Sequence, residues 1–167
     1  DVFREIWARH VEALERYITT RVGRAAAEDL ISSTFLAGFR YRRTYKGAIS
    51  GHSAGPWLLG IATNEISQHR RLEQRWLDQQ AAGAQQLDVP TNESDAVLGA
   101  LASHSRVARA LRDLAPRYRD PFLLLVLADL DYAQIAVALS LRIGTVRSRI
   151  HRARTELGRQ MKEDTNG

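Results

Sequence analysis

The 167-residue chain contains no cysteine. This absence excludes disulfides, thiolate zinc sites, iron–sulfur clusters and cysteine nucleophiles. The histidines stand at positions 10, 52, 69, 104 and 151, without the close pairing that metal sites usually show. The GxxxxGK, GxGxxG and HExxH signatures of phosphate, dinucleotide and zinc-protease sites are also absent from the sequence. We therefore expect no enzyme activity, no metal, no cofactor and no small-molecule substrate.

The chain also lacks long apolar runs of the kind that insert into a membrane. Its longest apolar run, Pro121–Ala128, is far shorter than the roughly 20 residues that span a bilayer. No signal-peptide layout opens the sequence. We therefore predict a cytoplasmic protein without direct membrane insertion.

Positive charge is in excess. Lys and Arg number 24 and Asp and Glu 19, which gives a net charge of +5. Such a balance favours a polyanionic partner, either nucleic acid or an acidic membrane surface. Composition alone does not choose between the two.

Basic residues are missing from one internal segment. Residues 78–105 contain no Lys or Arg, and Gln, Ala, Gly and Pro dominate there. Helical apolar periodicity precedes and follows this segment, and no strand alternation is visible. The sequence predicts an all-α fold with two small helical domains joined by a flexible linker, at 1–76, 77–104 and 105–162.

The first domain is predicted to contain three helices around one small core. Apolar residues recur at helical spacing from Phe3 to Val22. A second helix from about Ala26 to Tyr41 is expected to bury Leu30, Ile31, Phe35 and Phe39. A third helix begins near Trp57.

The segment Asp131–Leu157 reads as a helix-turn-helix. On a helix, Val146, Ile150, Ala153 and Leu157 fall into one narrow stripe, which predicts the buried face. The opposite arc carries hydrogen-bond donors on a rod of the width that fits the DNA major groove. Its members include Arg147, Ser148, His151 and Arg152. A surface helix whose arginines only confer solubility is the alternative.

The helix before the turn has its own inward face. Ile135, Ala136 and Leu139 are predicted to point inward, and Leu141 and Ile143 are expected to pack the two helices together.

Both domains resemble the extracytoplasmic-function (ECF) sigma factors of bacterial RNA polymerase, of the sigma-70 superfamily. In the second domain the resemblance rests on Leu114, Pro116, Arg119, YAQIA at 132–136 and GTVRSRIHRAR at 144–154. In the first it rests on Ala27-Glu28-Asp29-Leu30, Phe35, Trp57-Leu58, Ile61-Ala62, Asn64 and Arg70-Arg71. The resemblance implies a subunit that binds core RNA polymerase and selects promoters, without chemistry of its own.

The resemblance implies that the helix with the Ala-Glu-Asp-Leu signature docks on a coiled coil of the largest polymerase subunit. The implied contact residues are Glu28, Asp29, Leu30 and Phe35. Both acids are also expected in the first turn of their helix, where the macrodipole favours negative charge. Stabilisation of the helix start is thus the competing interpretation.

The resemblance further implies that the first domain opens the promoter and captures a flipped base of the non-template single strand. That task needs hydrogen-bond groups, a flat stacking partner and cations. The candidates are Tyr45, Lys46, Asn64, His69, Arg70 and Arg71. Trp57 is expected to belong to the core.

The second helix of the helix-turn-helix is implied to read duplex promoter DNA upstream. Arg147, Ser148, His151 and Arg152 are the candidate base contacts, with Arg149 and Arg154 closer to phosphate. In the linker, Asp88, Glu93 and Asp95 are implied to enter the polymerase channel, and a solvated tether is the alternative. An anti-sigma factor is a further partner that the resemblance suggests.

A stand-alone helix-turn-helix regulator of duplex DNA is the competing function. It explains the second domain equally well. It does not explain Asn64 and the basic helix end in the first domain, and it predicts tight duplex binding without polymerase.

Overall fold

A computed structural model describes residues 2–45, 53–83 and 106–163. These residues form only helices: α1 (Val2–Val22), α2 (Arg24–Tyr41), a 3-10 turn (Arg42–Thr44), α3 (Ala54–Gly83), α4 (Arg106–Asp113), α5 (Pro116–Leu127), α6 (Tyr132–Leu139) and α7 (Ile143–Glu163). The all-α prediction is confirmed. The candidate residues Lys46, Asp88, Glu93 and Asp95 lie outside the described residues.

Helices α1, α2 and α3 pack against one another to form the first lobe. Their apolar stripes supply fully buried side chains such as Leu14, Ile18, Leu58 and Ile66. Only Gly23 separates α1 from α2. Its φ of 82° lies in the left-handed region, where a side chain would be strained.

The predicted burial of Phe35 and Phe39 is wrong. Phe35 is 37% exposed and Phe39 is 41% exposed. Both rings lie against Phe3, at centroid distances of 5.5 and 5.6 Å, at the end where α1 begins. The first turns of α1 cover one side of each ring and leave the other side in solvent.

The second lobe contains the predicted helix-turn-helix. The buried stripe on α7 is confirmed, since Val146, Ile150 and Ala153 are fully buried and Leu157 is 8% exposed. Helix α6 begins with a capping box, in which the Asp131 carboxylate accepts a hydrogen bond from the Gln134 backbone N–H at 2.8 Å. Ser140 follows the last residue of α6, and its φ of 52° turns the chain toward α7.

Packing across this turn differs in part from the prediction. The side chain of Leu141 packs on the main core, as expected. Ile143 is 47% exposed, so its predicted packing role is wrong. The tight turn places Ile143 at the first position of α7, outside the buried stripe.

The two lobes share their main core. Leu124, Ile135 and Ile150 of the second lobe belong to the same buried cluster as Leu14 and Leu58 of the first. A smaller cluster lies inside the second lobe, formed by Ala110, Leu111, Leu114, Leu123, Ala153 and Leu157. Apolar stripes that the sequence assigned to two separate cores therefore meet in one.

Helix α3 continues beyond the predicted domain end at residue 76, as far as Gly83. Leu72 and Trp76, in the turns of α3 just before this extension, are 63% and 57% exposed. None of the helices in the described ranges is long and apolar enough to cross a bilayer.

The capping box makes a stability prediction. Asp131→Ala should lower the free energy of unfolding by about 1 kcal/mol, because it leaves a helix-end N–H without its acceptor. Asp131→Ser, which keeps a side-chain acceptor, should retain most of the stability. Urea unfolding followed by circular dichroism measures both, and equal losses would show that the cap is not the cause.

Candidate nucleic-acid interface

Helix α7 presents its donors to solvent. Four predicted contact residues are exposed, namely Arg147, Ser148, His151 and Arg152. Arg149 is half-buried at the margin of the core and Arg154 is exposed, as the helical geometry predicts. Because the stripe on the other side anchors α7, these side chains stand on a rigid element.

Glu156 of α7 forms its ion pair outside the exposed arc, although Arg152 also acts on it through the Coulomb interaction. Glu156 is bound by Arg159, with 2.6 Å between Oε1 and Nη2. The hydrogen bond from Arg159, followed by that from Gln160, lowers the pKa of Glu156 to about 2. Neither Arg147 nor Arg152 forms an ion pair with any other residue in the described part of the chain.

The first lobe has a second polar surface on α3. Asn64 and Arg71 are exposed and line a cavity of about 500 Å³. The Trp57 ring lies at the same cavity and also packs on the core, in keeping with its predicted place there. Tyr45 is half-buried, and its ring centroid lies 5.2 Å from that of Trp57. An amide, a cation and two aromatic rings therefore lie close together.

The predicted cations here differ in their intramolecular contacts. Arg70 donates from Nη2 to the backbone carbonyl of Arg21 at 2.9 Å, near the end of α1. Carbonyls in the last turn of a helix lack intrahelical partners, so Arg70 has a structural role. His69 Nε2 lies 3.4 Å from the Glu73 carboxylate, one turn further along α3. Arg71 is exposed and donates only from Nε, to the Ser67 backbone carbonyl at 3.3 Å, among the hydrogen bonds of the described residues. Its terminal nitrogens are therefore the better candidates for a phosphate contact.

The predicted docking residues on α2 separate into two groups. Glu28 and Asp29 are exposed and form no hydrogen bond or ion pair within the described residues, whereas Leu30 is 5% exposed and supports α2 from the core. Phe35 is partly exposed. Helix α2 begins at Arg24, so the acids lie beyond its first turn and the expectation that placed them there is wrong.

One apolar residue of this surface was missed. Leu36 is 63% exposed and lies two turns from Asp29, on the same face of α2. The helical spacing could have revealed it. The exposed face of α2 thus combines negative charge with apolar area.

A buried polar network was also missed. Arg21 is 1% exposed, and its Nη2 lies 2.8 Å from Asp120 of α5. Its Nη1 donates to the Tyr17 hydroxyl at 3.0 Å, and that hydroxyl lies 2.9 Å from Thr63 Oγ1. The sequence signal that could have revealed this network is the cation of Arg21 within the apolar stripe of α1.

Metal binding finds no support in the described residues, since no three potential His, Asp or Glu ligands cluster there. The exposed groups are instead donors, cations and aromatic rings. This chemistry suits the phosphates and bases of nucleic acid.

Two sequence families match the two lobes in order. The family described as sigma-70 region 2 matches residues 6–76, and sigma-70 region 4 matches residues 104–157. The sigma factor CarQ of Myxococcus xanthus is 31% identical over 94% of this chain and 87% of its own length. The chain therefore belongs to the ECF sigma factors of the sigma-70 superfamily.

Other relatives are longer than this chain. The ECF sigma factor BldN of Streptomyces coelicolor is 30% identical over 98% of this chain and 62% of its own length. SigE of Mycolicibacterium smegmatis is 33% identical over 78% of this chain and half of its own length. This chain thus spans less than two thirds of these two relatives.

Solved structures share the fold. The sigma factor RpoE of Bartonella quintana, in complex with the anti-sigma factor NepR, is 22% identical with a TM-score of 0.64 over 96% of both chains. CnrH, in complex with the cytosolic domain of CnrY, is 21% identical with a TM-score of 0.62 over 97% of this chain and 88% of its own.

The Glu156 environment makes a pH prediction. The carboxylate should titrate near pH 2 by NMR, and Arg159→Ala should raise its pKa toward the ordinary value of 4.5. Gln160→Ala should raise it less, because its hydrogen bond is the weaker cause. Any stabilisation from this pair is present above pH 4.5 and is lost as pH falls toward 2. An unchanged midpoint in Arg159→Ala would contradict this assignment.

Proposed function

We propose that this chain is a cytoplasmic sigma factor that binds core RNA polymerase and directs promoter-specific initiation through sequence-specific DNA binding. It contributes specificity, and the polymerase performs the chemistry. The observation that carries the proposal is the solvent-facing arginine arc of α7, on a chain whose lobes match sigma-70 regions 2 and 4 in order.

Helix α7 reads the upstream promoter element in duplex form. Arg147 and Arg152 are exposed and form no ion pair within the described residues. They point about 140° apart, at the two edges of the exposed arc of α7. A guanidinium pairs with guanine O6 and N7 and discriminates by about 1–3 kcal/mol per bidentate contact. Ser148 and His151 lie beside them and complete the surface.

The α3 surface receives the non-template strand of the downstream element. Asn64 offers an amide for a base edge, Tyr45 and Trp57 offer flat rings, and Arg71 offers a cation for phosphate. The cavity beside them is about 500 Å³, which is ample for an extruded base.

The outer face of α2 docks on the polymerase. Glu28 and Asp29 are carboxylates without partners in the described structure, and exposed Leu36 adds apolar area. Such a mixed face suits a partner surface with basic and apolar groups. The coiled coil of the largest polymerase subunit, implied by the family resemblance, is the proposed surface.

An anti-sigma factor is a further proposed partner. Support comes from the similar structures of RpoE, in complex with the anti-sigma factor NepR, and of CnrH, in complex with the cytosolic domain of CnrY.

The function is tested by transcription with core RNA polymerase, with and without this chain, on pooled genomic fragments whose transcript starts are sequenced. A sigma factor yields starts that share two upstream elements. Absence of starts, together with tight duplex binding by the chain alone, would support the stand-alone regulator instead.

The α7 assignment makes a prediction within that assay. Arg147→Ala with Arg152→Ala should lower transcription from the selected promoters at least tenfold, because base contacts worth about 1–3 kcal/mol each are lost. Polymerase binding should be unchanged. Arg4→Ala with Arg16→Ala removes equal charge from exposed positions on α1 and should have little effect. Equal losses of transcription in both variants would show that α7 contributes only net positive charge.

The α2 assignment makes the converse prediction. Glu28→Gln with Asp29→Asn should weaken the affinity for core polymerase about tenfold or more, because both charges face the partner. Glu5→Gln with Glu12→Gln is the charge-matched control on α1. Fluorescence anisotropy with labelled chain measures the affinity. Unchanged affinity in the α2 variant would exclude this docking face.

A further inference from the structure

The helical glycines of the described structure fall into two groups. A Cβ atom built on Gly38, Gly55 or Gly60 would lie 3.2 Å or less from a neighbouring atom, so close packing explains these three. A Cβ atom built on Gly144 or Gly158, both in α7, would meet nothing within 4 Å. Packing within the described chain therefore does not require either glycine of α7.

The backbone does not require glycine at position 144 either. Gly144 is the second residue of α7. Among the described glycines only Gly23 has a positive φ, so alanine fits the backbone at position 144 without strain. Glycine loses more backbone freedom on folding than alanine and is the poorer helix former. Gly144 thus gains the fold nothing, which leaves contact with a partner as the role that the structure supports.

Gly144 lies in the middle of the exposed arc of α7. At about 100° per residue, Arg147 and Arg152 mark the two edges of the arc, and Gly144 falls between them. Ser148 and His151 project from the same part of the surface, one and two turns further on. Gly144 itself is exposed. The side chains that are proposed to contact DNA therefore begin one turn after a bare stretch of backbone.

The two glycines of α7 lie at opposite ends of the arc. In a helix-turn-helix the N-terminal residues of the recognition helix contact base edges. Gly144 belongs to that end, whereas Gly158 lies about 21 Å further along the helix. A straight helix leaves the curved groove over such a distance, so Gly158 lies clear of the base pairs that the first turn meets.

The peptide groups at the start of α7 are accessible as well. The Arg142 carbonyl accepts hydrogen bonds from the N–H groups of Thr145 and Val146, at 2.9 and 3.1 Å. The N–H groups of Ile143 and Gly144 donate to no acceptor among the described residues. DNA can therefore approach this turn without breaking a hydrogen bond of the chain.

We propose that Gly144 is the point of closest approach between α7 and the duplex, and that its missing side chain lets Arg147 and Ser148 reach base edges. This inference rests on the proposed function for the assignment of α7 to duplex DNA. Gly144 is a positioning residue, because it acts through the side chains one turn further on. A methyl group at this position would hold the helix away from the bases, as overpacking does in a filled interior.

Gly144→Ala tests the close approach, and Gly158→Ala is its matched control. Both variants add a methyl group in open space, so both should keep or slightly raise the urea midpoint of unfolding. Only Gly144→Ala should weaken duplex binding, by about tenfold. Gly144→Leu keeps a good helix former and should weaken binding further, because its side chain is larger.

The probe is a labelled pool of genomic duplex fragments. The chain is added with core polymerase and, at low salt, alone, and retention beyond that of core polymerase without the chain is scored. The retained fragments are sequenced, and the affinity of the parent and of each variant is measured on the most enriched one.

Coupling to Arg147 distinguishes positioning from a purely structural role. Gly144→Ala already holds Arg147 away from its base, so adding Arg147→Ala should weaken binding by a smaller factor than it does in the parent. In the Gly158→Ala background, Arg147→Ala should have its full effect.

The outcomes separate the two proposals. Parent-like duplex affinity of Gly144→Ala, an equal loss in Gly158→Ala, or a lowered urea midpoint of Gly144→Ala would overturn the inference even if promoter-directed transcription is observed. A selective loss in Gly144→Ala without any promoter-directed transcription would support the close approach and overturn the proposed function. Retention of no fragment under either condition would overturn both.

Discussion

The relative position of the two lobes depends on a buried charge. Arg21 lies within the apolar stripe of α1 and finds its acid, Asp120, in the other lobe. Burial by itself lowers the pKa of this guanidinium, but its contacts with Tyr17 and Asp120 outweigh that effect and raise it. The group is therefore charged in this structure and needs its partner. Removing one partner of a buried pair typically costs about 3–5 kcal/mol.

The Arg21–Asp120 pair favours one arrangement of the two lobes more than it stabilises that arrangement. The Coulomb gain of a buried ion pair is largely offset by the desolvation of both charges. When the lobes separate, water can solvate Arg21 and Asp120 again. A contact of this kind therefore selects one docking geometry of the lobes more than it adds to their stability.

The helical spacing of apolar residues was sufficient to predict much of the fold. The α7 stripe and the helices of the first lobe follow from spacing alone, because each helix must bury its own apolar face. The exposed arc of α7 follows from the same geometry. The family resemblance then indicated which surfaces would matter.

Features that depend on the neighbouring helix were not predictable in this way. Phe35 and Phe39 carry the apolar signal of a core, yet only the beginning of α1 covers them. Arg70 belongs to a basic run, but its partner is a backbone carbonyl 49 positions earlier. Asp120 carries no sequence signal of its role, because its partner Arg21 lies in the other lobe. Long-range partners of this type leave no periodic trace in a single sequence.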